Sequence, residues 1–234
     1  MSANTEVFHG SGWIAQTRER VWPQTDASRE TEGWNWEGFA REQIRSLVQR
    51  VFLANGGRAV KQVVFSATEA RTDVATICQQ VGQALALETL SDIAIVDRPH
   101  PAPAQTMGQV RYAGRAPIKS WSTPIAANLW RVPGSSLRDR VGESATGLCW
   151  LSGLADLRNE FQYAIIQGPA AGVSSEAALL GHLADGMILV LGDNTRKATA
   201  CKIKEMLEGA QTRILGTVLS ERRFPVPERI YRRL

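Results

Sequence analysis

Short, evenly apolar runs separated by stretches of helical periodicity set the frame of this chain. Gln62–Ser66, Asp92–Val96, Asn128–Val132, Tyr163–Gln167, Met187–Leu191 and Arg213–Leu219 read as buried strands. Between them, Val74–Leu87, Leu151–Glu160, Ser175–Leu183 and Thr195–Gly209 place apolar residues at three- and four-residue spacing, the pattern of helices packed on one side. Strand and helix alternate, which predicts an α/β fold: a mostly parallel sheet covered by helices on both faces. At 234 residues with 44% hydrophobic content, the chain is long enough for one well-buried domain. Ligands in such folds bind at the carboxyl ends of the strands.

One of those carboxyl ends carries a distinctive text. Phe65 to Ala86, FSATEARTDVATICQQVGQALA, has the frame of a phosphate-binding loop and its following helix. A working loop of that kind uses glycines to turn successive N–H groups towards phosphate, a lysine to reach the outer oxygens and a hydroxyl for magnesium. Here Glu69, Ala70, Arg71, Thr72, Asp73, Val74, Ala75 and Thr76 contain no glycine and no lysine. Positive φ would be strained at Arg71 and Asp73, and Glu69 and Asp73 would repel a polyphosphate. Thr72 or Asp73 can instead cap a helix that buries Val74, Ile77 and Val81. Arg71 keeps the opposite reading open, since a guanidinium can grip phosphate bidentately.

This text resembles that of the bacterial tyrosine autokinases of capsule and exopolysaccharide assembly (BY-kinases, CpsD/CapB-like), relatives of the MinD/ParA-type deviant P-loop ATPases. The usual family sequence, FTSAEPGEGKSTVAANLAVALA, lies over Phe65–Ala86 without a gap. The resemblance puts the family's lysine at Val74, its Ser at Ala75 and its Thr at Thr76, so only the last is kept. A second motif, Ile-Asp-Ala-Asp in the family, falls on Ile95–Asp97 and beyond, keeping Asp97 but replacing the second aspartate by Pro99. The third falls on Phe161–Ala170, where Gln167 replaces the carboxylate that would organise hydrated magnesium; a neutral amide is a poor ligand for that hard cation. Asn128–Gly134 and the terminal Arg223–Leu234 also resemble family text. The likeness spans about Glu42 to Leu234 and implies a P-loop NTPase-like fold.

Further departures bear on activity. The family's tyrosine-rich tail is missing: the chain has three tyrosines, Tyr112, Tyr163 and Tyr231, and Tyr163 reads as core. The family's E-x-x-R-x-x-R subunit-contact helix survives as Glu42 and Arg45, with Val48 third. The plain alternative is a solvated i,i+3 ion pair. Residues 1–38 are polar and aperiodic, and read as an irregular segment before a folded unit at 39–234. Trp13, Trp22, Trp34 and Trp36 fall in it. They either dock on the domain or, with Trp34 and Trp36 foremost, anchor a partner. From Arg98 to about Pro124, Pro99, Pro101, Pro103 and Pro117 interrupt regular structure, which suggests a loop beside the pocket mouth.

Composition narrows the remaining classes. No secretory leader or membrane-spanning run is recognisable, which leads us to expect a cytoplasmic protein, held peripherally at the inner membrane if a partner holds it there. Cys78, Cys149 and Cys201, like His9, His100 and His182, are scattered, so no metal site or catalytic triad is expected. The formal charge is +4, with Arg222, Arg223, Arg229, Arg232 and Arg233 gathered at the end. No aromatic-interleaved motif accompanies them, and no nucleic-acid partner is expected.

The resemblance and the replacements together imply a non-catalytic pseudo-ATPase or pseudokinase without cofactor, a structural or regulatory subunit of polysaccharide assembly. Its implied partners are a membrane co-polymerase (chain-length) protein, an intact kinase paralogue, or copies of itself. One alternative is an active ATPase or tyrosine kinase binding ATP or ADP with magnesium through Arg71, Thr76 and Asp97. Another is a MinD/ParA-like positioning protein on membrane or DNA.

Overall fold

The computed structural model describes residues 6–8, 36–54, 59–98, 116–138 and 146–220. The central strands are β2 (Gln62–Ala67), β3 (Ile93–Val96), β5 (Leu129–Val132), β6 (Tyr163–Gln167), β7 (Gly186–Leu191) and β8 (Ile214–Leu219). All six run parallel, in the order β8-β7-β2-β6-β3-β5. Two antiparallel edge strands complete the sheet, β1 (Glu6–Phe8) beside β8 and β4 (Thr123–Ala126) beside β5. The fold is thus the single α/β domain with a mostly parallel sheet that the hydrophobic pattern predicts.

β2, β3, β6 and β7 are buried on both sides, and period two divides their side chains between two cores. Val63, Phe65 and Ala67 of β2 face α1 (Trp36–Val48) and α2 (Val74–Glu88), where Leu47, Ile77, Val81 and Leu85 meet them. Val64 faces the other way, into a core closed by α4 (Thr146–Glu160), α5 (Glu176–Leu183) and α6 (Lys197–Gly209) through Trp150, Leu157, Leu180 and Leu207. The short α3 (Gly134–Arg138) adds Leu137. A π-helical turn, Gln49–Leu53, extends α1 and sets Phe52 edge-on to Tyr163 at 5.8 Å between ring centroids. Tyr163 opens β6 and packs, partly buried, against the first core, as expected.

The predicted strands and helices are all present, with boundaries moved by at most five residues and those of Tyr163–Gln167 unmoved. Asp92, Asn128 and Arg213 precede their strands, and α4 starts at Thr146 rather than Leu151. The irregular segment 1–38 needs correction: Glu6–Phe8 pairs with Thr217–Leu219 of β8, and α1 begins at Trp36. A three-residue strand is too short to show a period. The Arg98–Pro124 stretch also contains a 3₁₀ turn at Ile118–Ser120 and the start of β4. Pro124 sits on the sheet edge, where a missing N–H breaks no ladder, and all four β4 residues are exposed. Trp13, Trp22, Trp34, Pro99, Tyr112, Tyr231 and the terminal arginines lie outside the described residues.

At the amino ends of the strands a polar cluster joins three elements. The Asp185 carboxylate accepts the N–H groups of Lys61 and Gln62, both at 2.9 Å, and the Arg158 guanidinium at 3.0 Å. Gln62 in turn donates to Leu154 O at 2.7 Å and accepts from Arg158 at 3.1 Å. This sets β2, β7 and α4 in register at the end of the sheet opposite the candidate site.

Candidate functional site

Four segments meet at the carboxyl ends of β2, β3, β6 and β7. The first, Thr68–Asp73, replaces the glycine-rich loop. Thr68 N–H donates to Val190 O at 3.1 Å and Thr72 N–H turns back to Glu69 O at 3.3 Å. Asp73 is the N-cap of α2, with φ −78° and ψ 94°. Its Oδ1 accepts Thr76 N–H at 3.1 Å, and its Oδ2 accepts the Thr76 hydroxyl at 2.6 Å. The cap is therefore Asp73 rather than Thr72, and its negative charge suits the positive end of the helix. Among the described residues the only non-glycine with positive φ is Gln211, at 58°. Arg71 and Asp73 thus avoid the left-handed conformations from which a phosphate-cradling ring of N–H groups is built.

The second segment follows β6 and lies tightly on the first. Gly168 N–H donates to Phe65 O at 2.9 Å, and Ala171 N–H to Ala67 O at 2.7 Å. The Ser66 hydroxyl donates to Pro169 O at 2.6 Å. A β-carbon at Gly172 would lie 2.5 Å from the Thr68 carbonyl oxygen, an approach that only glycine allows. The third segment follows β7, where Gly192 N–H donates to Thr195 Oγ1 at 3.1 Å. That hydroxyl is 3.2 Å from Thr68 Oγ1 and 3.4 Å from Glu69 Oε1. At the end of β3, the fourth segment, Arg98 N–H donates to Gln167 Oε1 at 3.2 Å.

Together they leave an open concavity of about 170 Å³, lined among others by Glu69, Thr72, Asp73, Val74, Arg98 and Gln167. Four of the residues predicted for the pocket, Glu69, Asp73, Val74 and Gln167, are brought together there. Arg71, Ala75 and Thr76 are exposed and are not part of its lining. Arg71, which kept the phosphate-binding reading open, lies exposed in the Glu69–Thr72 turn and outside the lining; the arginine of the lining is Arg98. Its signal was its place one residue after Asp97. Asp97 stands outside the lining, 3.9 Å from Arg131 Nε, and Pro99 lies outside the described residues.

Beneath the loop, Cys78 is fully enclosed. Burial, and then the charges of Asp97 and Asp73, push its thiol far above the ordinary range, so it stays protonated and inert. Among the described residues no three His, Cys, Asp or Glu side chains are grouped to hold a metal ion.

The Glu42–Arg45 pair also needs correction. Arg45 does not pair with Glu42 along the helix; its Nε contacts Glu88 Oε1 of α2 at 2.7 Å. α1 and α2 run alongside each other, and that packing carries Arg45 to a partner 43 residues away. Trp36 is the first residue of α1. Among the described residues no helix is long and apolar enough to cross a membrane.

No protein-family model matches the chain, and no curated protein matches it. Among solved structures it is similar to the kinase domain of VpsO, with 20% identity, coverage of 81% of this chain and 98% of that one, and a TM-score of 0.55. The kinase domain of Escherichia coli tyrosine kinase ETK shares 11% identity over 80% of this chain and 78% of its own, with a TM-score of 0.58. The MinD cell division protein of Aquifex aeolicus shares 15% identity over 74% and 73%, with a TM-score of 0.51. The likeness is one of fold: the chain has the P-loop NTPase-like architecture found in these tyrosine-kinase domains and in MinD.

Proposed function

We propose that this protein is a non-catalytic member of the P-loop fold, a pseudo-ATPase or pseudokinase that acts through protein contacts in exopolysaccharide or capsule assembly. One observation carries the reading. Of the backbone donors near the concavity, Thr72, Gly168 and Arg98 of its lining, and Thr76 and Gly192 beside it, are engaged by acceptors of the chain itself. Phosphoryl transfer depends on positioning and on charge stabilisation by a lysine and magnesium. Val74 and Ala75 supply neither, and Gln167 Oε1 is already occupied by Arg98 N–H. The residues present do not fit a magnesium polyphosphate.

Without phosphoryl transfer, what the domain offers is its surface. The likeness to tyrosine-kinase domains favours an intact kinase or a membrane co-polymerase as partner. That part of the reading rests on resemblance of fold and sequence.

Calorimetric titration with ATP and ADP, with and without magnesium, tests the proposal. The control is a variant carrying Val74→Lys, Ala75→Ser and Gln167→Asp, checked for folding by circular dichroism. The native chain is expected to give no binding heat at millimolar nucleotide. Micromolar, magnesium-dependent binding by the native chain would sink the proposal and restore the active-ATPase reading.

A further inference from the structure

On one side the parallel strands end at β8, whose six residues, Ile214–Leu219, carry no charge. An uncharged strand at a sheet edge is a ready template for another strand, and proteins ordinarily cover it. Here the cover is partial. Glu6–Phe8 pairs antiparallel with Leu219, Val218 and Thr217, and among the described residues no strand pairs with the outer edge of Ile214–Gly216. The sequence after Phe8 reads His9, Gly10, Ser11 and Gly12, and two glycines in four residues weaken any continuation of the strand. The uncovered half is apolar on both faces: Leu215 packs against the first core and Ile214 against the second, each only partly buried. The register of β8 against β7 also shifts there, between Met187 and Ile188, so the regular ladder open to a new strand is the Thr217–Leu219 half. A strand that paired with that half and ran on over Leu215 and Ile214 would bury apolar surface that three paired residues leave open. β1 is held by those three residues of pairing, and residues 9–35 separate it from α1, so it can leave the edge without unwinding a helix.

We propose that the outer edge of β8 is a docking edge for an extended, apolar segment of a partner protein, and that Glu6–Phe8 is the resident strand this segment displaces. The proposal rests on the reading above, of a protein that acts through contacts, and names the surface it uses. Backbone pairing at Thr217–Leu219 sets the register, and apolar side chains laid over Leu215 and Ile214 set the preference. Charged residues at those positions are disfavoured, because the neighbouring cores would strip them of water.

The probe is a fluorescein-labelled peptide, Thr-Glu-Val-Phe-Val-Thr-Val, which keeps the sequence of residues 5–8 and continues it with strand-forming residues in place of His9, Gly10 and Ser11. It is titrated by fluorescence anisotropy into the full chain and into Val7→Pro/Phe8→Pro. Successive N–H groups of a strand point to opposite sides, so one of these two faces β8, and its loss opens the edge. The opened variant, checked for folding by circular dichroism, should bind at least about tenfold more tightly than the native chain, in which β1 competes for the edge. A second variant closes the edge. In Glu6→Cys/Leu219→Cys/Cys201→Ser the two facing positions are within disulfide reach, so oxidation should abolish peptide binding and reduction should restore it. A folded opened variant that does not bind overturns the proposal, as does equal binding, or none, by the oxidised and reduced forms; the second comparison decides even where the opened variant does not fold. The non-catalytic reading falls separately, on binding of magnesium ATP by the native chain, which neither comparison touches.

Discussion

Replacing Asp185 by alanine tests whether the fold is anchored at the end of the sheet away from the candidate site. The side chain is 2% exposed and makes three charge-assisted contacts: two with the N–H groups that open β2 and one with Arg158. Asp185→Ala strands two N–H groups of Lys61 and Gln62, each costing about 1–3 kcal/mol when left without an acceptor. The Arg158 contact adds little, since that side chain is 39% exposed and can turn to water. Asp185→Ala should therefore lose about 2–6 kcal/mol, a large part of the about 5–15 kcal/mol typical of a domain. Asp185→Asn keeps an acceptor oxygen and should lose less. Acid supplies a second signature. Burial pushes the Asp185 carboxyl up, but the Gln62 and Lys61 N–H groups and Arg158 outweigh it and hold it below its usual range. A carboxyl lowered by folding stabilises the native state above its unfolded pKa, and that stabilisation fades as pH falls through the folded one. The native chain should thus lose more stability than Asp185→Asn on acidification from about pH 4 downwards. Urea denaturation followed by circular dichroism at pH 7 and pH 3 reads both effects. An Asp185→Ala variant within about 1 kcal/mol of native at pH 7, or parallel acid profiles, would refute the reasoning.

Three further outcomes follow from the geometry. Gly172→Ala would force its β-carbon against the Thr68 carbonyl at 2.5 Å and should cost about 1–3 kcal/mol, read as a lower urea midpoint. In the folded protein a maleimide should label Cys201, which is partly exposed, while Cys78 and Cys149, both buried, react only after denaturation; mass spectrometry of the digested adduct distinguishes them. Glu88→Ala should change stability by no more than about 1 kcal/mol, an effect that vanishes at high salt, because the Arg45 side chain is 55% exposed.

The sequence was most legible where one short-range rule governs. All six residues of β2 are buried, and Val74, Ile77 and Val81 face the core one turn apart, so a hydrophobic run followed by a helical period suffices to place both elements. Asp73 could be named as one of two caps because capping acts over three residues. Features that need a partner elsewhere in the chain were not legible. Arg45 finds Glu88 across 43 residues, and Asp185 closes on Gln62 across 123. No local pattern of charge announces either. Edge strands fail for a different reason: β4 has no buried face, so it carries no alternation to read. At the site itself, sequence alone identified which residues had changed. It could not show that the tight turn at Glu69–Thr72 withdraws Arg71 while the end of β3 brings Arg98 in.

On the proposed non-catalytic reading, the same geometry accounts for a fold kept without the chemistry. Most of the burial lies in the two cores either side of the sheet, and the Asp185 cluster holds the amino ends of the strands, at the end away from the candidate site. The residues at the candidate site are tied into the scaffold by contacts of their own. Val74, where the resemblance puts a lysine, is now 6% exposed and packed in the first core. Returning a lysine to that position would set its stem among apolar neighbours and press its ammonium either to snorkel outwards or to lose its proton. Thr76 is tied to Asp73, and Gln167 to Arg98. Asp73, Val74 and Gln167 are thus each supported by a contact of their own, and reversing one leaves the others in place. That support distinguishes a pocket tied into internal contacts from one that merely lacks a side chain.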